Sequence, residues 1–283
     1  MKTRTIAALL GGFIVALIAS SGCGEPTSQH IERLSDPRHE QRLSAGYKLV
    51  VIGEPAVAPL IAAASAGSDS LRYICAQILG LIGTPSALPY LRQLLTDSNS
   101  HVRRQAAQAL SGFSDPDLVV PLTQLLLADA APDVRAAAAQ SLGRFRSPLA
   151  SASLLAALDD TSASVRRNAL AGIDLIWSPE MGPIVADVLL DPDETTRYIA
   201  AQLLGQHKEH GAVGALRKAL RDSSVWVRKE AALALGELAD SAAVDDLSRM
   251  ARRHAGPDGA AARLALRQLA GLDDQVPDSD KTE

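Results

Sequence analysis

The stretch Asp222–Gly236, DSSVWVRKEAALALG, decides how the chain is read. It sets an Asp six residues ahead of an Arg, then a small residue at +3, an aliphatic residue at +7 and a Gly at +8. Taken alone, the acid and the base could be a site of chemistry. The frame recurs, however, as DSNSHVRRQAAQALS (Asp97–Ser111), DAAPDVRAAAAQSLG (Asp129–Gly143) and DPDETTRYIAAQLLG (Asp191–Gly205). The anchoring arginines are Arg42, Arg72, Arg103, Arg135, Arg166, Arg197, Arg228 and Arg263, spaced by 30, 31, 32, 31, 31, 31 and 35 residues. A catalytic constellation does not repeat eight times at fixed spacing; a structural unit does.

Small and apolar residues at −1, +3, +4, +7 and +8 fall on one side of a helix. The Gly at +8 reads as its C-terminal stop. Between these helices lie looser apolar segments such as ALPYLRQLLTD (Ala87–Asp97), DLVVPLTQLLLAD (Asp117–Asp129), MGPIVADVLLD (Met181–Asp191) and AVGALRKALRD (Ala212–Asp222). Each starts near Pro, Ser or Gly and ends on the Asp of the next frame. The expected fold is all-α: an α-α superhelix, or solenoid, of about eight helical hairpins over residues 31–272. Composition agrees, because 47% of residues are apolar but only 3% aromatic, as in helices packed through Ala and Leu. No alternating run of Val, Ile and Thr suggests a strand.

The D-x(5)-R pair, the small residue at +3 and Leu-Gly at +7 and +8 resemble HEAT repeats, in the short form found in phycobilisome lyases and many bacterial proteins. The resemblance implies that each Arg lies inside the stack and bonds the Asp and the carbonyls of the inter-helix turn, within and between repeats. The ladder it implies is Asp97, Arg103, Asp129, Arg135, Asp160, Arg166, Asp191, Arg197, Asp222 and Arg228. Units two and eight depart from it, with Ala66 and Pro257 in the Asp position, and unit five has Asp174 where Gly is expected. The first helix, around 30–35, reads as a short cap, and the approach HAGPDGAA (His254–Ala261) as a displacement of the eighth unit's first helix. Bilin chemistry does not follow from a shared scaffold.

The N-terminus has the layout of an export signal: basic MKTR, an apolar run of fourteen residues (Ile6–Ala19), then SSGC. That run is short for a membrane span. SSGC resembles the lipobox of bacterial lipoproteins, although Ser20 stands where the family usually has Leu. The resemblance implies a signal peptide over 1–22, a lipid on Cys23 and a tether over 23–30. Gly24, where an Asp would resemble an inner-membrane retention signal, leans towards the outer membrane. The alternative is ordinary cleavage, leaving Cys23 as a free thiol or an inter-chain partner. The acidic segment 273–283 reads as a disordered tail. Removing Lys2 and Arg4 leaves 26 basic against 32 acidic residues, a net charge of −6, which speaks against nucleic acid as a partner. Cys75 occupies a small-residue column and reads as buried packing.

No hydrolase, P-loop or dinucleotide motif stands in a suitable context, so no enzyme and no cofactor are expected. HKEH (His207–His210) reads as a surface turn rather than a metal site. His39-Glu40 invites comparison with deoxyhypusine hydroxylase, a HEAT-repeat di-iron enzyme, but the dipeptide occurs once.

With the core at −1, +3 and +7, positions −2, +1, +5 and +9 of each second helix face away from it. That stripe holds the candidate partner-binding residues Tyr73, His101, Arg104, Gln108, Arg144, Arg167, Tyr198, Gln202, Trp226 and Lys229, with Gln77 and Gln140 beside them. Aromatic residues and Arg are enriched where partners bind; Gln and Arg are also ordinary on a solvated helix face. The leading expectation is a lipid-anchored, non-enzymatic scaffold of the cell envelope that binds a protein or peptide in its concave groove. The alternative is a lyase-like or ligand-carrying protein using the groove for a small molecule.

Overall fold

The computed structural model describes residues 25–271. The signal segment, Cys23 and the acidic tail lie outside the described residues. Within them are sixteen α-helices and no strand. They form eight hairpins in chain order: α1 (Thr27–Glu32) with α2 (His39–Ile52), α3 (Val57–Ser65) with α4 (Asp69–Ile82), α5 (Leu88–Gln93) with α6 (Ser100–Leu110) and α7 (Val119–Ala128) with α8 (Pro132–Arg144). There follow α9 (Ser151–Ala156) with α10 (Ala163–Leu175), α11 (Gly182–Asp187) with α12 (Glu194–Gln206), α13 (Val213–Ala219) with α14 (Val225–Glu237) and α15 (Val244–Arg253) with α16 (Pro257–Leu269). The all-α solenoid expected from the repeat is the fold observed.

Local signals set the hairpin ends. In four successive repeats the first helix is entered through a 3-10 turn that opens on Pro85, Pro116, Pro148 or Pro179, where a missing N–H removes no bond. The second helix begins after the ladder Asp, whose Oδ1 accepts the backbone N–H two residues on, as in Asn99 N to Asp97 Oδ1 (2.8 Å) and Ser162 N to Asp160 Oδ1 (2.8 Å).

The core follows the frame. Val102, Val134, Val165 and Val227 at −1 are buried, as are Cys75, Ala106, Ala138, Ala169, Ala200 and Ala231 at +3. At +7, Leu79, Leu110, Leu142, Ile173, Leu204 and Leu235 are buried too.

Of the glycines at +8, Gly271, with φ 66°, follows the end of α16 as the expected stop, but the other four have a different task. Gly80, Gly143, Gly205 and Gly236 lie inside their helices. A Cβ on Gly80 would come within 2.6 Å of Ala109, one on Gly205 within 2.8 Å of Ala234, and one on Gly143 would strike the Gly172 backbone. These glycines admit the next second helix at close range. Their helices stop elsewhere: Gly83, with φ 68°, ends α4 and donates its N–H to the Leu79 carbonyl.

Successive second helices pack closely through these contacts, whereas the first helices of neighbouring repeats touch only lightly. The stack therefore curves with the second helices on its inner side. At the N-terminal end, α1 begins at Thr27, within the stretch expected to be tether, and buries His30. At the other end α15 packs on α16. α16 begins at Pro257 and α14 at Val225, about one ordinary repeat apart, so the long interval to Arg263 is no insertion in the approach: Arg263 sits deeper in its helix than the other anchors do.

Candidate partner-binding face

The Asp–Arg column is internal. From Arg72 to Arg197 each ladder Arg reaches the carboxylate of the next repeat with two parallel hydrogen bonds. Arg103 donates from Nε to Asp129 Oδ2 (2.6 Å) and from Nη2 to Oδ1 (2.9 Å). Arg135 grips Asp160 (2.6 and 2.8 Å) and Arg197 grips Asp222 (2.7 and 2.8 Å) in the same way. The remaining Nη1 donates to the backbone carbonyl of the repeat's own Asp, as from Arg103 to Asp97 O and from Arg135 to Asp129 O, both at 2.8 Å. The Asp and Arg six residues apart are therefore joined through the carbonyl, and the carboxylate belongs to the repeat before. Charge-assisted forks of this kind make a half-buried guanidinium tolerable.

The guanidinium hydrogen bonds hold the Asp97 and Asp160 carboxyls below the usual carboxylate range. At Asp129, Asp222 and Asp258 burial pushes the other way, and the hydrogen bonds and charge of the facing Arg outweigh it.

Two irregularities in the ladder have structural answers. Ala66 leaves Arg42 without a carboxylate among the described residues; Arg42 donates to the Asp36 and Pro37 carbonyls and lies 3.3 Å from His39 Nδ1. In the last repeat the acceptor is Asp258, inside α16 rather than in the turn before it, and Arg228 Nε donates to its Oδ2 at 2.8 Å. Sequence spacing missed Asp258 because Arg263, read as the eighth anchor, is not part of the ladder: it is exposed and donates to the Ala251 carbonyl at 3.1 Å.

The outward stripe of the second helices lies on the inner side of the curve. Gln77, His101, Gln108, Gln140, Arg144 and Trp226 are exposed there, and Tyr73, Arg104, Arg167, Tyr198, Gln202 and Lys229 are partly exposed. Trp226 is 56% exposed, and Lys229 Nζ sits 5.7 Å from its ring centroid, a cation–π distance.

The basic character of the stripe is weaker than its sequence suggests. Arg167 Nη1 donates to Asp193 (2.9 Å), Arg104 lies 3.9 Å from Asp133, and Arg144 Nη1 donates to Ser111 Oγ (3.3 Å). Asp133 occupies a −2 position on the same face and belongs to the stripe. So do Leu43, Tyr47 and Val51, at +1, +5 and +9 of α2, all exposed, with Leu81 on α4. They give the N-terminal end of the face an apolar floor that the sequence reading did not include.

The other singled-out residues have local partners. Trp177 stacks on His207 (4.2 Å between centroids, 3° between planes), and His207 Nε2 lies 2.8 Å from Asp174 Oδ1. Asp174, the exception to the +8 Gly, thus ties its repeat to the next. Cys75 is fully buried, and burial pushes its thiol up to about 12. Among the described residues no three metal-ligating side chains come together.

Side-by-side helical hairpins, tied from the second onward by internal Arg–Asp forks, define an α-solenoid. The chain belongs to the HEAT-repeat family: a model described as HEAT repeats matches residues 57–141, 95–174, 119–197 and 182–267. No curated protein sequence matches it significantly. The crystal structure of YibA from Escherichia coli is similar over 87% of this chain and 93% of that one, at 21% identity and a TM-score of 0.67. An engineered protein is similar over 86% of this chain and 78% of its own, at 20% identity and a TM-score of 0.52. At these identities the likeness concerns the fold alone. The complex of CpcE and CpcF of phycocyanin lyase from Nostoc matches 53% of this chain and 98% of that one, at 23% identity and a TM-score of 0.45, too low to carry an argument.

Proposed function

We propose that this HEAT-repeat solenoid is a non-enzymatic scaffold that holds a protein or peptide partner on its inner face, and that a lipid on Cys23 anchors it in the bacterial cell envelope, at the outer membrane facing the periplasm. The observation that carries the reading is Trp226. It breaks the repeat pattern, is more than half exposed on the inner side, and lies under the Lys229 ammonium. A large aromatic that the frame does not require, left in water beside a cation, is the kind of residue that anchors an interface. The apolar end formed by Leu43, Tyr47 and Val51 offers a second contact on the same face.

The reading is tested by affinity capture from envelope extracts with the wild type and a Trp226→Ala/Arg104→Ala variant. Specific proteins recovered by the wild type should be lost from the variant. Recovery of the same proteins by both would refute the inner-face proposal.

A further inference from the structure

Away from the inner face, the outer layer carries a second candidate site between α13 and α15. A cleft of about 290 Å³ there is lined by Arg217, Arg221, Arg249 and Arg253, with Asp246 as the one acid among its lining residues. Four guanidinium groups against one carboxylate give it a net charge of +3, in a chain whose net charge is −4.

Holding the two helices together does not require this many cations. Arg217 Nε donates to Asp246 Oδ2 at 2.7 Å, and Arg249 Nη2 pairs with the other carboxylate oxygen. These two bonds satisfy a carboxylate that is only 10% exposed. Arg221 reaches it no closer than 3.8 Å and is 80% exposed, and Arg253 makes no hydrogen bond or ion pair with the described residues. His254, also at the rim, is turned to the ladder, with Nδ1 3.0 Å from Asp258. Asp246 thus fixes two guanidinium groups by one edge each and leaves their other N–H groups free, beside two more that hydrogen-bond none of the described residues.

We infer that this cleft binds a phosphate-bearing ligand. Like charges gathered around one carboxylate repel one another, and an anionic phosphate relieves that repulsion. The planar fork of Arg matches the tetrahedral oxygens of a phosphate in a way that Lys does not. The phosphate could be carried by a soluble molecule or by a lipid headgroup, and the two sources are separable by experiment.

The test titrates the purified protein with inorganic pyrophosphate by calorimetry. In parallel it measures cosedimentation with phosphatidylcholine vesicles with and without phosphatidylglycerol, a comparison that cancels any contribution of an N-terminal lipid. The variant is Arg221→Ala/Arg253→Ala, which leaves both short Asp246 pairs in place and should melt like the wild type. Pyrophosphate binding that weakens about tenfold or more in the variant supports the site with a soluble ligand. Binding only to the phosphatidylglycerol vesicles, lost in the variant, supports it with a lipid headgroup. If neither probe binds, or if the variant binds as well as the wild type, the inference is overturned.

Discussion

Arg166 donates from Nε and Nη2 to the two carboxylate oxygens of Asp191, each at 2.6 Å, across the boundary between the fifth and sixth repeats. Its Nη1 donates to the carbonyl of Asp160 in its own repeat, at 2.9 Å. One side chain therefore ties its own inter-helix turn to the next turn along the stack. The two charged side chains are 9% and 6% exposed, the most enclosed of the Arg–Asp forks between second helices and the turns that follow them.

Breaking this fork should be costly because it leaves a carboxylate without its partner in a largely buried place. Arg166→Ala is expected to lower stability by roughly 3 kcal/mol in urea denaturation. Asp191→Ala should cost about as much, and the double variant should lose less than the sum of the two, by about 1 kcal/mol or more. Additive losses would show that the two residues act independently. Arg42→Ala is the internal control: no carboxylate faces it among the described residues, so its loss should be well under half as large.

The +8 glycines can be separated from helix propensity by comparing two Gly→Ala changes. Gly143→Ala places a methyl against the Gly172 backbone and should lower stability by about 1–3 kcal/mol. Gly214→Ala, in α13 with open space around it, should instead raise stability by up to about 1 kcal/mol. Thermal melts of both variants decide the point. Equal effects of the same sign would mean that the close approach of α8 and α10 has no energetic weight.

Acid should loosen the stack through the same ladder. The carboxyls of Asp97, Asp129, Asp160, Asp222 and Asp258 sit below their ordinary value of 3.8 in the folded chain. The unfolded chain therefore takes up protons first as pH falls. The ladder's stabilisation is complete above about pH 4 and is lost as pH drops through the native values. The melting temperature should be flat from neutral pH to about 5 and fall steeply below 4. In an Arg135→Ala variant the acid-dependent part should shrink, since Asp160 loses the guanidinium that holds its carboxyl down.

Much of this was legible in the sequence because a solenoid is a local object. The period of about 31 residues, the small residue at +3 and the aliphatic residues at −1 and +7 place the helices and the core without knowledge of long-range contacts. The outward stripe followed from helix geometry alone, and Trp226 and Lys229 fall on it as expected.

Three features needed the assembled structure. The offset of the fork by one repeat is one, since D-x(5)-R looks like a pair and is half of two pairs. The +8 glycines Gly80, Gly143, Gly205 and Gly236 are another, read as stops when seen along one helix and found to be contacts when the next helix is present. The third is the charge of the inner face, where Asp133 and Asp193 meet arginines of the preceding repeat.

The sequence by itself determined the class, the register of the first seven repeats and their buried column, because those depend on periodicity within some thirty residues. Only the tertiary structure decided which Asp each Arg holds, why Gly stands at +8, and that Arg217, Arg221, Arg249 and Arg253 share one cleft. Those facts concern what one repeat presents to another, and that depends on how closely and at what angle the helices stack.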